Sequence, residues 1–243
     1  MLKSVYTSLA ATLVCALLSF AVLAQSEPIR VGFLTVRTGP LAAGGKQMEE
    51  GILLFLKERN YTLAGRKIEL TIADTGGNPA GTKNKTQDLV ERNKVHVIIG
   101  PLAAFEALAI NDYIRDTRTP IISCSAAAED LTQRKTNPWF VRAVATSAQP
   151  NHALGEYAAK VLGYKRIAII ADDFAYGHET AAGFQRAFED NGGKIVQKLW
   201  PPLAVPDYGS YIAQIKGNVD AVYAGFAGAN GFRFLKQYNE YGM

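Results

Sequence analysis

Short β-branched runs alternate along this chain with longer segments of helical period, and that alternation leaves few folds open. The runs fall at 29–35, 67–73, 95–99, 120–123, 140–143, 166–171, 194–199 and 221–224. Segments of helical period at 45–59, 79–93, 105–117, 148–162, 177–191, 208–215 and 230–241 lie between them. Strands that read as near-continuous apolar runs are buried on both faces, and helices interleaved with them cover both faces of a parallel sheet. The fold class is therefore α/β. Glycines at Asn191-Gly192-Gly193 and Leu162-Gly163-Tyr164 stand where helices end in left-handed caps.

The segment Val97-Ile98-Ile99-Gly100-Pro101-Leu102-Ala103-Ala104-Phe105 shows how such a chain builds a site. A buried strand stops at Gly-Pro and a helix begins at once. Ligands of open parallel sheets bind at the carboxyl ends of strands, where unpaired N–H groups at helix starts attract anions. A fresh strand-helix series starts near 143–149, which places a domain boundary there and gives two similar lobes, 25–145 and 146–243. Ligands favour the cleft between such lobes.

At the amino end, Lys3 precedes the apolar run Leu9 to Leu23, and Val22-Leu23-Ala24 leads into polar Gln25-Ser26-Glu27. The run is about 15 residues against the ~20 of a membrane-spanning helix, so residues 1–24 are expected to be a cleaved signal peptide. Cleavage removes Cys15, leaving Cys124 as the one cysteine and no internal disulfide. The formal net charge of +4 is spread over helix faces and not gathered in a run. A nucleic-acid partner, which needs clustered Lys and Arg, is not expected.

No catalytic constellation is legible. Gly39-Pro40-Leu41-Ala42-Ala43-Gly44-Gly45-Lys46-Gln47 imitates a phosphate loop, but its spacing is wrong and Gln47 stands where Ser or Thr is required. No G-x-G-x-x-G follows the first strand and no G-x-S-x-G occurs. His96, His152 and His178 lack metal-ligand spacing. Cys124, between Ser123 and Ser125, reads as a small wall residue without a base beside it. Asp172 and Asp173 read as caps of the turn or helix that follows. The chain is not expected to be an enzyme, nor to carry a metal or cofactor.

A set of segments in register carries a resemblance over nearly the whole chain. Ile29-Arg30-Val31-Gly32-Phe33 with Thr38-Gly39-Pro40, then Ile98-Ile99-Gly100-Pro101, Asn137-Pro138-Trp139-Phe140-Val141-Arg142, Asp172-Asp173-Phe174-Ala175-Tyr176-Gly177, and Val219-Asp220-Ala221-Val222-Tyr223 with Gly225 are similar, in order and spacing, to the type 1 periplasmic binding proteins. Within them the chain resembles the leucine/isoleucine/valine-binding branch that serves ABC importers. The resemblance implies two Rossmann-like parallel-sheet lobes joined by a hinge, closing on a solute and presenting the closed form to ABC permease membrane subunits. It implies a monomer in the periplasm. Ligand-touching loops, matched by position, fall at Arg37, at Ala103-Ala104-Phe105, at Ser125-Ala126-Ala127, at Tyr176 and at Phe226, with His178 able to donate to a ligand oxygen.

Departures from the family pattern narrow the solute. Amino-acid-binding members place hydroxyls at the positions of Ala104 and Ala127, and both are missing here. A hydrogen bond to a charged group is worth roughly 1.5–3 kcal/mol, so losing two costs about 100- to 10,000-fold in affinity. The aromatic the family often places at the position of Gly44 is also absent. Arg37 could grip a carboxylate in bidentate fashion instead, and Phe105, Tyr176 and Phe226 could sandwich a ring. Segments 128–135 and 199–203 are similar to members that bind lignin-derived aromatic acids. A hydroxybenzoate or cinnamate is the expected solute, a branched-chain or other apolar amino acid the alternative, and a ligand sensor the alternative class. The family continues past the position of Met243, so the second lobe is expected to be C-terminally incomplete, and the chain alone to melt early and bind weakly.

Overall fold

The computed structural model describes residues 27–243; the expected signal peptide lies outside the described residues. Two sheets form. The first contains β1 (Ile29–Thr35), β2 (Thr62–Leu63), β3 (Arg66–Asp74), β4 (Val97–Ile99), β5 (Ile121–Ser123) and β6 (Phe140–Arg142), in the order β2-β3-β1-β4-β5-β6. The second contains β7 (Arg166–Ala171), β8 (Lys194–Leu199) and β9 (Ala221–Gly225), in the order β8-β7-β9. All pairings are parallel except β2 with β3.

Helices α1 (Ala42–Glu58), α2 (Pro79–Gln87), α3 (Ala104–Thr117), α4 (Gln149–Lys160), α5 (Ala175–Asp190), α6 (Gly209–Ile212) and α7 (Asn230–Glu240) connect the strands. None of the described helices is long and apolar enough to cross a membrane. The central strands are the most apolar, as double-sided burial demands. Phe33, Leu34, Ile169 and Ile170 are all at most 1% exposed. In the second lobe α4 and α5 pack Ala158, Ala181, Phe184 and Phe188 on one face of the sheet. Tyr208, Ile212 and Phe234 cover the other.

The structure adds one strand to the expected set and shortens two helices. The parallel first sheet gains a short antiparallel edge strand, because Thr62–Leu63 turns back on Arg66 and Lys67 through Ala64 (φ +49°) and Gly65 (φ +76°). Two successive left-handed residues are what a tight hairpin needs, and alanine at the first hid the signal. The helix expected over 79–93 is α-helical only to Gln87; Asp88–Arg92 is a π-turn. The helix expected over 208–215 keeps only Gly209–Ile212, because beyond it the bonds tighten to Gln214 N–H on Tyr211 and Ile215 N–H on Ile212. The glycine caps at Gly163 (φ +70°) and Gly192 (φ +86°) are present.

A buried carboxylate that sequence reasoning passed over anchors the start of α3. Glu106 is fully buried; its Oε2 accepts the Ala103 N–H at 2.9 Å, and its Oε1 accepts the hydroxyls of Thr75 and Thr82. This is the reach-back half of a capping box. Burial pushes the carboxyl up from its ordinary 4.5, against the lowering effect of the bonds from Thr75, Ala103 and Thr82. The folded state therefore binds this proton more tightly than the unfolded chain does. The associated stability is complete below 4.5 and is lost as pH rises through the folded-state pKa. The melting temperature of the wild type relative to Glu106→Gln is expected to decline over that window. A wild-type-minus-variant difference that stays constant with pH would show that Glu106 does not titrate there.

Candidate functional site

Each sheet reverses strand order at one place. In the first, β1 lies between β3 and β4; in the second, β7 lies between β8 and β9. Connections on opposite sides of a reversal run to opposite faces and leave a crevice at the carboxyl ends of the strands. The two crevices face each other. Between them lies a cleft of about 440 Å³, within the range of small-molecule sites.

The first lobe lines this cleft with Leu41, Ala43, Gly44 and Gln47 after β1, with Leu102, Ala103 and Ala104 after β4, and with Ser125 and Ala127 after β5. The second lobe supplies Phe174 and Tyr176 after β7, then Phe226, Ala227, Gly228 and Phe232 after β9. The walls thus differ in kind: small residues predominate on one side, and aromatic rings stand on the other. Phe174 and Tyr176 stack with centroids 6.0 Å apart. Phe226 leans on the second-lobe core, 4.8 Å from Phe234 and 5.2 Å from Tyr208, which fixes its ring. Burial raises the Tyr176 hydroxyl pKa, with a further push from the Asp172 charge, so this hydroxyl stays protonated and able to donate.

Of the residues singled out from the sequence, Ala103, Ala104, Ser125, Ala127, Tyr176 and Phe226 line the cleft. Four are placed elsewhere. Arg37 points its fork at Glu49, with Nε 2.9 Å and Nη2 2.8 Å from the two carboxylate oxygens, in a surface groove beside Lys46 and Leu53. Its bidentate capacity is already used inside the chain. His178 Nε2 lies 2.8 Å from Asp173 Oδ1, with its ring 4.1 Å from Trp200. Phe105 meets Phe174 edge to face at 5.6 Å and bridges the lobes beside the cleft. Ala126 is buried, its carbonyl accepting from Ser123 Oγ at 2.8 Å and Arg142 at 3.1 Å, so it shapes the loop that carries Ser125 and Ala127.

Asp172 does not cap the helix after it. Its carboxylate accepts the Ala227 N–H at 2.7 Å and the Asn230 side chain at 2.8 Å, in the turn after β9. Cys124 is exposed at the end of β5. No group of acidic, histidine or cysteine side chains among the described residues is arranged to hold a metal ion. Phe174, Gln47 and Phe232 are cleft residues that sequence reasoning missed. In the sequence Gln47 reads only as part of a failed phosphate loop, although it shares a helical face with Ala43 and Gly44.

The lobes also touch directly. Ala229 N–H donates to the Pro40 carbonyl at 3.3 Å, and Glu129 N–H donates to both Glu179 carboxylate oxygens at 3.1 and 3.2 Å. Leu41, Ala103 and Leu102 from the first lobe pack with Leu203 and Ala227 from the second. The sequence profile described as periplasmic binding protein matches residues 28–243. The chain belongs to the periplasmic binding protein family.

Among its relatives, the Leu/Ile/Val-binding protein BraC3 of Rhizobium johnstonii is 30% identical over 90% of this chain and 59% of its own length. A solute binding protein of an ABC transporter from Rhodopseudomonas palustris BisB5, solved in complex with 3,4-dihydroxybenzoic acid, is 34% identical. It superposes with a TM-score of 0.83 over 88% of this chain and 59% of that one. Another R. palustris solute binding protein, in complex with 4-hydroxybenzoate, is 29% identical with a TM-score of 0.81, over 89% and 59% of the two chains. The chain therefore spans about three-fifths of the length of these relatives. Type 1 periplasmic binding protein architecture accounts for the paired crevices: each lobe brings one strand-order reversal to a shared cleft.

Proposed function

We propose that this chain captures a small aromatic carboxylate in the interlobe cleft and delivers it, as a periplasmic component of an ABC importer, to the membrane permease. The observation that carries this reading is the asymmetry of the cleft. Gly44, Ala104 and Ala127 leave room on one side, and Phe174, Tyr176 and Phe226 offer ring faces and edges on the other. An aromatic contact adds roughly 0.5–1.5 kcal/mol beyond area burial. The R. palustris proteins solved with 3,4-dihydroxybenzoic acid and 4-hydroxybenzoate support the same class of solute.

The carboxylate would lie at the start of α3, where the Ala104 and Phe105 N–H groups have no backbone partner, in the cleft that Ser125 also lines. Glu106 already takes the Ala103 N–H, so that donor is excluded. Residues 143–148 serve as the hinge between lobes 25–145 and 146–243. Closure stores no covalent chemistry; a solute that touches both walls shifts an equilibrium between open and closed forms.

A thermal-shift comparison tests the reading, because a ligand confined to the native state raises the melting temperature as its concentration exceeds Kd. Benzoate, 4-hydroxybenzoate and 3,4-dihydroxybenzoate are expected to raise it at concentrations where leucine and isoleucine do not. A larger shift with leucine would overturn the aromatic solute and return the chain to the amino acids named for BraC3.

A further inference from the structure

Asp172 is fully buried one residue beyond β7 and is absent from the cleft lining, yet it controls the segment that forms the cleft's second-lobe edge. Its N–H continues the strand pairing to the Gly225 carbonyl at 3.2 Å. Its Oδ2 accepts the Ala227 N–H at 2.7 Å, and its Oδ1 accepts Asn230 Nδ2 at 2.8 Å. Asn230, also fully buried, passes the constraint outward: Nδ2 donates to the Leu203 carbonyl at 2.8 Å, and Oδ1 accepts from Arg233 Nη2 at 2.7 Å.

One carboxylate thus ties the end of β7 to both ends of the turn at 226–229. The outer surface of that turn carries Phe226, Ala227 and Gly228 to the cleft, and Ala229 N–H reaches the Pro40 carbonyl of the other lobe. Two N–H donors converge on Asp172, so only an acceptor at both oxygens satisfies them. An ionised carboxylate does this with charge-assisted bonds. An amide in its place would turn a donor toward one of the two.

We propose that Asp172 is a positioning residue for solute capture: through Ala227 and Asn230 it holds the 226–229 turn in the shape that lines the cleft and meets the Pro40 loop. The solute-capture half of this statement rests on the reading given under Proposed function; the geometric half does not.

The test combines amide hydrogen exchange with calorimetric affinity for 4-hydroxybenzoate. It uses the whole protein as wild type, Asp172→Asn, Asn230→Asp and the double exchange. In Asp172→Asn the Ala227 and Ala229 amides are expected to lose protection by about tenfold or more, while core amides of β7 such as Ile169 keep theirs. Affinity is expected to fall by about tenfold or more. The double exchange restores an amide-to-carboxylate pair with roles reversed and is expected to recover part of both losses, and confinement of the exchange change to the 226–229 turn is what a general structural defect would not produce.

Uniform loss of protection across the second lobe in Asp172→Asn, with no recovery in the double exchange, would overturn the proposal. So would wild-type Ala227 exchanging as fast as the exposed residues Gly217 and Asn218, a measurement that needs no variant to fold. If wild type fails to bind 4-hydroxybenzoate, the aromatic-solute reading falls, and the exchange pattern still decides whether Asp172 holds the turn.

Discussion

Gly228→Ala is expected to weaken solute binding by about tenfold to a hundredfold while lowering the melting temperature by only a few degrees. Gly228 has φ +56°, and a Cβ there would stand 2.6 Å from the Pro40 carbonyl oxygen. The two penalties act on different states. Left-handed backbone costs alanine roughly 1–2 kcal/mol whether the clamp is open or closed, and that strain appears as lost stability. The clash with Pro40 exists only when the lobes meet, because Pro40 follows β1 of the first lobe and Gly228 follows β9 of the second. Parting the lobes relieves it, so it subtracts from the binding-competent population and enters the apparent affinity directly. Affinity for 4-hydroxybenzoate and the melting temperature, measured on the same preparation, separate the two. Unchanged affinity would mean that the 226–229 turn yields locally and that closure does not depend on this contact.

Gly45→Ala is expected to act the other way, on the fold itself. A Cβ at Gly45 would lie 1.8 Å from the Val36 carbonyl oxygen and 2.7 Å from its carbon. Both atoms are backbone, both belong to the same lobe, and no flexible side chain can move aside. The first turn of α1 would have to lift off β1, breaking the bond from Thr35 Oγ1 to the Gly45 carbonyl, 2.9 Å long. Overpacking of this severity costs about 3 kcal/mol or more, or about 6–12 °C in melting temperature for a chain of this size. Gly51 on the same helix is the control. It is exposed and a Cβ there meets nothing within 4 Å, so Gly51→Ala is expected to stabilise by about 0.4–1 kcal/mol. A loss for Gly45→Ala no larger than that gain would show that α1 tolerates displacement from the sheet.

The two-lobed α/β architecture was legible because its signals are local. β1 and β7 begin and end where the β-branched runs do, since both are central strands whose interiors are buried on two faces, and the edge strand β8 shares its run's bounds although Lys194, Gln197 and Lys198 interrupt it. Small residues at Gly44, Ala104 and Ala127 could be read as missing clamps because register with a known family located them. The side-chain partnerships were not legible. Arg37 pairs with Glu49 on the following helix, and whether a guanidinium at a strand end faces a ligand or its own chain is a question of rotamer and helix phase. Asp172 finds Ala227 and Asn230 far along the chain, a contact that exists only after β9 has docked beside β7. Glu106 was missed for a smaller reason. Starting α3 one residue late moves it off the third helical position, where reach-back to Ala103 would have been the natural reading.

Cys124 offers a practical use of the geometry. It is the one cysteine among the described residues, exposed at the end of β5 and adjacent in sequence to Ser125, which lines the cleft. Burial of part of its surroundings pushes the thiol pKa up, so its reaction with an electrophilic dye is slow at neutral pH and quickens under mildly alkaline conditions. An environment-sensitive fluorophore attached there would sit one residue from Ser125, on the loop that carries Ser125 and Ala127 to the cleft. Its emission would report any change in the surroundings of that loop, so the proposed solute capture could be followed optically with no engineered attachment point.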